Sequence, residues 1–227
     1  MAKKTLLFNT FVAMSIAHNL NELKHSLPKA VSLVAVSKTK PASAILEAYD
    51  TGHRIFGENK VQELVGKYEE LPKDIQWHMI GHLQRNKVKY IAPFVALIHG
   101  VDSERLLLEI NKQGIKHQRK IPCLLQIHIA TEATKFGLSN EELEALLPKA
   151  ATLEGVAIKG LMGMATFTSD EQQIEAEFNA LHASFQKAQE SLPLDILSMG
   201  MSGDYPIALS CGSTMIRVGS KIFGARH

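Results

Sequence analysis

Two cysteines in 227 residues are too few for a disulfide framework, and no motif places them as metal ligands. Cys123 and Cys211 stand in the runs Pro122-Cys-Leu-Leu and Leu209-Ser-Cys-Gly, so they read as small buried hydrophobes of a reducing, cytoplasmic compartment. Charge of one sign is also missing. The 25 Lys and Arg against 23 Asp and Glu leave a net +2, which gives no broad basic field for nucleic acid. No apolar run is long enough for a membrane span, and the stretch after Met-Ala-Lys-Lys soon meets His18, Asn19, Asn21 and Glu22. Neither a span nor a signal peptide is expected. The chain lacks a glycine- or proline-rich linker, a short-period repeat and any low-complexity segment, so residues 1–227 are expected to form a single domain.

What is present is alternation. Short apolar runs alternate with amphipathic stretches from end to end. Strands are expected at Ser32–Val36, His53–Phe56, Gln76–Ile80, Val95–His99, Cys123–Ile129, Val156–Leu161, Ile196–Met199 and Met215–Val218. An N-terminal helix is expected over about Asn9 to Ser26. Further helices are expected at Ala42–Ala48, Lys60–Glu70, Arg85–Tyr90, Ser103–Lys116, Ser139–Leu147, Asp170–Gln189 and Asp204–Cys211. Ser139 and Glu142 have the spacing of a capping box, and Ile174, Phe178, Leu181 and Phe185 recur at helical spacing. Strand–helix alternation implies parallel strands with right-handed crossovers. Eight such units predict a (β/α)8 TIM barrel with an additional N-terminal helix, a fold of about 250 residues. An open doubly wound sheet is the alternative.

In a barrel, chemistry gathers at the C-terminal ends of the strands, and phosphate often binds after the last two. Lys38 ends the run Val31-Ser-Leu-Val-Ala-Val36 and is followed at once by Thr-Lys-Pro. An amine held there against apolar surroundings tends to lose its proton, its pKa falling from the ordinary lysine value of about 10.4, and a neutral lysine attacks aldehydes. The other reading is a solvated loop lysine. Gly200–Gly203 and Gly219–Ser220 are small-residue turns leading toward helix starts. With the hydroxyls of Ser202 and Ser220 they read either as plain turns or as an anion cradle of backbone amides.

Other strand-end residues leave alternatives open. Arg217, among apolar strand neighbours, could face outward to a helix carboxylate or inward to the barrel mouth, where it could donate to an uncharged ring nitrogen. Glu58-Asn59 could start a helix or present a carboxylate and an amide to a ligand. His78 and His82 are four apart, but on a strand pattern they do not share a face as a metal pair on a helix does, so no metal site is expected. His128 could line the barrel or lie on the surface.

Taken in order, these phrases resemble the pyridoxal phosphate homeostasis protein family, single-domain relatives of the alanine racemase barrel. The resemblance is carried by Ala35-Val-Ser-Lys38-Thr-Lys-Pro41, Phe56-Gly-Glu-Asn59, Trp77-His-Met-Ile-Gly-His-Leu-Gln84, Lys159-Gly-Leu-Met162, Leu197-Ser-Met-Gly-Met-Ser202 and Gly212-Ser-Thr-Met-Ile-Arg217-Val-Gly-Ser-Lys-Ile-Phe-Gly224. It implies pyridoxal 5′-phosphate (PLP) held as an aldimine on Lys38, with its phosphate on Ser202, Gly219 and Ser220. It also implies Arg217 beside the pyridine nitrogen, and Asn59 and Met201 within the cofactor-binding set. No catalytic residue is assigned. One departure is Ile127-His128, where the family usually has Val-Asn.

The resemblance further implies a role in intracellular PLP and amino-acid homeostasis. The protein would be a monomer that holds PLP, with PLP-dependent apoenzymes as partners. An arginine does not give up its proton, which weakens the cofactor as an electron sink and argues against demanding carbanion chemistry. A PLP-dependent racemase is the alternative. It would need a second acid/base on the far face of the substrate, supplied in alanine racemases by a tyrosine of a partner's extra domain. The chain stops three residues beyond Gly224, leaving no length for such a domain. An aldolase or sugar-phosphate isomerase is a third reading, with Glu58 as the candidate base for an isomerase.

Overall fold

The computed structural model describes residues 15–132 and 134–224. Eight strands close into a barrel in sequence order: β1 (Ser32–Val36), β2 (Ile55–Glu58), β3 (Gln76–Met79), β4 (Leu97–Val101), β5 (Ile121–Gln126), β6 (Val156–Met162), β7 (Ile196–Ser198) and β8 (Met215–Val218). Every neighbouring pair is parallel, and β1 closes against β8 with Ser32 opposite Met215 and Val34 opposite Arg217. The helices are α1 (Ile16–Ser26), α2 (Ala42–Asp50), α3 (Val61–Glu70), α4 (Val88–Ile91), α5 (Glu104–Lys116), α6 (Asn140–Ala151), α7 (Glu171–Gln189), α8 (Tyr205–Ser210) and α9 (Ser220–Phe223). A short 3-10 turn, Arg85–Lys87, leads into α4.

This is the expected TIM barrel with its extra N-terminal helix. The open-sheet alternative falls because β1 bonds to β8. The first helix begins at Ile16, capped by the Ser15 hydroxyl accepting from His18 N at 3.1 Å, while positions 9–14 of the expected span lie outside the described residues. The capping box forms as read: Glu142 N donates to Ser139 Oγ at 3.2 Å and Ser139 N to Glu142 Oε2 at 2.9 Å. None of the helices among the described residues is long and apolar enough to cross a membrane.

Several strand limits differ from expectation. β2 starts two residues late, with Arg54 O still accepting from Gln76 N at 2.8 Å and the His53 ring turned back to bond Ile55 O at 2.8 Å. It runs on to Glu58, whose carbonyl accepts from Ile80 N. β4 likewise lies two residues further on than expected. β5 is Ile121–Gln126, not Cys123–Ile129. The apolar alternation continues, but the backbone leaves the sheet, and His128 N donates to Leu138 O across the following loop.

Strand residues two apart share a face, and this places two layers inside the barrel. Val34, Leu97, Leu124, Met162 and Met215 form an apolar interior cluster. Two positions further along the same strands, toward the mouth, stand Val36, His99, Gln126 and Arg217. The alternate positions pack outward. Leu33, Ala35, Phe56, Trp77, Met79, Ile98, Leu125 and Ile216 are buried against helix residues such as Ile45, Leu64, Leu107, Phe178 and Leu181. Each such side chain, fully buried, contributes roughly 1.5–3 kcal/mol. Cys123 and Cys211 are free and buried, and burial pushes both thiols up.

The core also holds neutral histidines. Burial lowers His53 from 6.5 to about 4, against its bond to Ile55 O, and lowers His78 to about 3. Below pH 6.5 the unfolded chain takes up protons that these rings refuse in the folded state, so stability falls as pH drops from 6.5 toward 4. Each ring contributes up to about 1.4 kcal/mol per pH unit. Urea unfolding between pH 7.5 and 5 should show this loss, and His53→Gln should flatten the slope by about one proton. An unchanged slope in the variant would refute the assignment.

Candidate functional site

The strand ends open into a cavity of about 530 Å³. All seven residues expected to bind a cofactor line it: Lys38, Asn59, Met201, Ser202, Arg217, Gly219 and Ser220. They come from the loops after β1, β2 and β7, from β8 itself and from the start of α9. The topology therefore brings together residues up to 182 positions apart in sequence (220 − 38).

The loop that carries Lys38 is held on both flanks. Lys67, on α3, donates to Ser37 O at 2.9 Å, to Glu58 Oε1 at 2.8 Å and to Glu63 Oε1 at 2.7 Å. The Ser37 hydroxyl donates to the same Glu58 oxygen at 2.6 Å, and Thr39 N donates to Glu63 Oε1 at 2.6 Å. Thr39 has φ +65°, a left-handed conformation that is costly for a β-branched residue. The backbone on either side of Lys38 is thus fixed by a buried ionic cluster. Lys38 itself is half-buried between these anchors. Burial raises the Glu58 carboxyl above its usual range, against the hydrogen bonds from Lys67 and Ser37 that favour its charged form.

One turn splits the Glu58-Asn59 pair. Glu58 is fully buried in the ionic cluster and is not among the residues lining the cavity, so the structure withdraws it as a candidate isomerase base. Asn59 faces the cavity, and its Oδ1 is shut off from solvent with no hydrogen-bond partner.

Opposite these, Gly200 adopts φ +95°, and a Cβ there would lie 2.6 Å from Ala208 Cβ, so the turn requires glycine. Met201 N donates to Asp204 Oδ1 at 2.5 Å, and Gly219 N to Ser202 Oγ at 3.2 Å, which stitches the two small-residue turns together. At Gly219 a Cβ would crowd Val36 O at 3.1 Å. The first bonds of α9 run from Ile222 and Phe223 back to Gly219 O, so the amides of Ser220 and Lys221 precede any intrahelical acceptor. Lys40 Nζ bonds Phe223 O at 2.9 Å and ties the Lys38 loop to this corner.

Arg217 points inward, which settles its two readings. Its Nη1 donates to Ser198 O at 2.9 Å and to Ser198 Oγ at 2.6 Å, and its Nη2 to Gly163 O at 3.0 Å. Burial lowers it to about 10, partly offset by the Asp204 carboxylate, so it stays charged at neutral pH. Three donations against five N–H groups leave donors for the cavity.

The two candidate metal histidines separate. His78 is buried in the barrel, while His82 stacks on Phe136 and bonds Asp102 at 2.9 Å. No group of three metal-ligating side chains occurs among the described residues. His128 lies beyond β5, half-buried, bonded to Glu132 O. Sequence reasoning missed Lys67, whose four-residue spacing from Glu63 was the available signal. It also missed His99 and Ser198, for which only strand parity gave a hint. Gln126, Phe136, Met164 and Phe167 also line the cavity, and so do Lys40 and His82.

Breaking the ionic cluster should be costly. Lys67→Met leaves Glu58 buried beside Glu63 without its cation and should lower unfolding free energy by about 3 kcal/mol. With its pKa raised further, Glu58 resists ionisation in the folded state, so the deficit should grow from pH 5 to pH 8. Urea melts of wild type and variant at both pH values check this, and a deficit under about 1 kcal/mol would mean that the cluster is solvated.

A model of the alanine racemase N-terminal domain matches residues 13–227. The pyridoxal phosphate homeostasis protein of Haemophilus influenzae is 37% identical over 230 residues, covering 94% of this chain and 97% of that one. PipY of Synechococcus elongatus PCC7942, solved without PLP, superposes with a TM-score of 0.89 at 39% identity. The same protein with PLP bound gives 0.85 at 38%, each covering 92% of this chain and all of PipY. With matches of this extent, the chain belongs to the pyridoxal phosphate homeostasis proteins, within the alanine racemase N-terminal domain family.

Proposed function

We propose that this protein binds pyridoxal 5′-phosphate in the mouth cavity and serves intracellular PLP and amino-acid homeostasis. The observation that carries the reading is the convergence of Lys38, Arg217 and the paired turns of Ser202 and Gly219–Ser220 on one cavity. When bound, PLP supplies an aldehyde that condenses with a primary amine, with loss of water, and a phosphate dianion that needs donors.

The residues present fit that group. Lys38 is the amine, on a loop fixed from both sides. The hydroxyls of Ser202 and Ser220 and the amides of Ser220 and Lys221 form the anion cradle, and the missing Cβ of Gly219 lets the backbone come close. The Met201 backbone shapes the first turn of that cradle. Asn59 Oδ1 is an acceptor waiting for a donor, and Arg217 offers N–H groups to a ring nitrogen without surrendering a proton.

None of the four tyrosines lines the cavity, so the walls offer no tyrosine to work opposite Lys38. This supports carriage of the cofactor over racemisation. The shared barrel of all seven residues supports reading 1–227 as one domain. The free, buried cysteines support a reducing, cytoplasmic setting; a monomer with PLP-dependent apoenzymes as recipients is the reading that the family membership favours.

Loading wild type and Lys38→Ala with PLP, reducing with borohydride and mapping by mass should give one pyridoxyl adduct, on Lys38, absent from the variant. Saturable PLP binding with Lys38 unmodified after reduction would overturn the lysine assignment. Ser202→Ala should weaken PLP binding about tenfold by absorbance titration, the scale of one hydrogen bond to a charged group.

A further inference from the structure

Four polar side chains form a continuous line across the inside of the barrel. They are Arg217 on β8, Ser198 on β7, His99 on β4 and His78 on β3, all buried, with Ser198 and His99 at 0% exposure. Arg217 Nη1 meets Ser198 Oγ at 2.6 Å, Ser198 Oγ meets His99 Nδ1 at 3.2 Å, and His99 Nε2 meets His78 Nδ1 at 3.0 Å. We infer that these groups form a one-way hydrogen-bond relay, in which His99 and His78 are neutral, carry their protons on Nε2, and act through Ser198 to position Arg217.

The direction follows from donor chemistry. A guanidinium has no acceptor, so Ser198 Oγ must accept from Arg217. A hydroxyl has one proton, and here the acceptor within reach is His99 Nδ1. A His99 ring that accepts at Nδ1 carries its proton on Nε2, which points at His78 Nδ1. That nitrogen accepts in turn, and His78 is left with its proton on Nε2. Reversing the relay would make Ser198 Oγ accept from both sides and strand its proton in a dry interior. Protonating His99 would set an imidazolium next to a buried guanidinium. Burial lowers both rings, His99 well below its ordinary value with the Arg217 charge adding to the effect, and His78 to about 3.

The relay gives the histidines a function for the site. By accepting the Ser198 hydroxyl's hydrogen bond, His99 turns that oxygen's lone pairs toward Arg217. Together with Ser198 O and Gly163 O, this fixes the guanidinium plane and leaves its remaining N–H groups aimed at the cavity. His78 holds the His99 tautomer. The effect on cofactor affinity rests on the proposed PLP reading, but the tautomers do not.

Long-range proton–nitrogen correlation spectra of ¹⁵N-histidine-labelled, ligand-free protein at pH 7.5 test the relay directly, with signals assigned from His78→Gln and His99→Gln. Both rings should show the Nε2–H pattern. An Nδ1–H or doubly protonated pattern on either ring refutes the relay. For positioning, His99→Leu should weaken PLP binding about tenfold. His99→Gln, whose amide can accept from Ser198 and donate to His78, should recover most of that loss and the wild-type absorbance maximum. Equal affinity in Leu and Gln variants refutes positioning. Failure of the wild type to bind PLP would sink the proposed function while leaving the tautomer result standing.

Discussion

A closed eight-strand parallel barrel gives each strand one inward residue in every two, and this restriction governs the rest of the molecule. Near the strand starts the inward places are taken by Val34, Leu97, Leu124, Met162 and Met215, which need no hydrogen bonds. Toward the strand ends the same faces carry His99, Gln126 and Arg217, which do. Polar groups in a closed interior are tolerable only when partnered, so the upper layer has to be a connected network. Gln126 satisfies the rule by reaching out to Phe136 O at 2.8 Å, and Arg217 by reaching across to Ser198 and Gly163.

Two networks with different physics hold the two sides of the cavity. On the β1–β2 side a true ion cluster, with Lys67 between Glu58 and Glu63, immobilises the backbone flanking Lys38 and keeps Thr39 in its left-handed conformation. On the β7–β8 side the charge of Arg217 meets two carbonyls and the Ser198 hydroxyl, which in turn reaches His99, with no carboxylate in ion-pair contact among the described residues. The first arrangement fixes geometry with its one cation held between two carboxylates. The second fixes geometry and leaves a net positive field in the mouth.

The sequence showed clearly whatever depends on neighbours along the chain. Lys38 at the end of an apolar run, the turns at Gly200–Gly203 and Gly219–Ser220, and the Ser139–Glu142 cap are all local signals, and each lies where the pattern put it. What the sequence could not resolve depends on closure. Whether Arg217 faces in or out is a question of which face of β8 turns toward the axis, and pairing with β1 and β7 decides that. The fate of Glu58 turned on Lys67, nine residues away and on another element. The alternation Ile127-His128-Ile129 looked like more strand, yet Leu138 draws that backbone out of the sheet, a contact no local pattern announces.

The charge distribution at the mouth suits an anionic aldehyde. Lys38, Lys40 and Arg217 line the cavity against Asp204 as the sole carboxylate among its lining residues. An anionic ligand adds its negative charge to that of Asp204 beside the buried Arg217 guanidinium, which lowers the cost of holding that charge in the barrel. Chemistry at the carbon next to a bound amine would need a group able to release and regain a proton near neutral pH. Arg217 stays protonated, burial lowering its pKa only to about 10, and burial likewise disfavours protonation of His78 and His99. The network that holds Arg217 therefore fixes geometry and charge, and any proton exchange falls to other residues of the cavity wall, Lys38 and His82 among them.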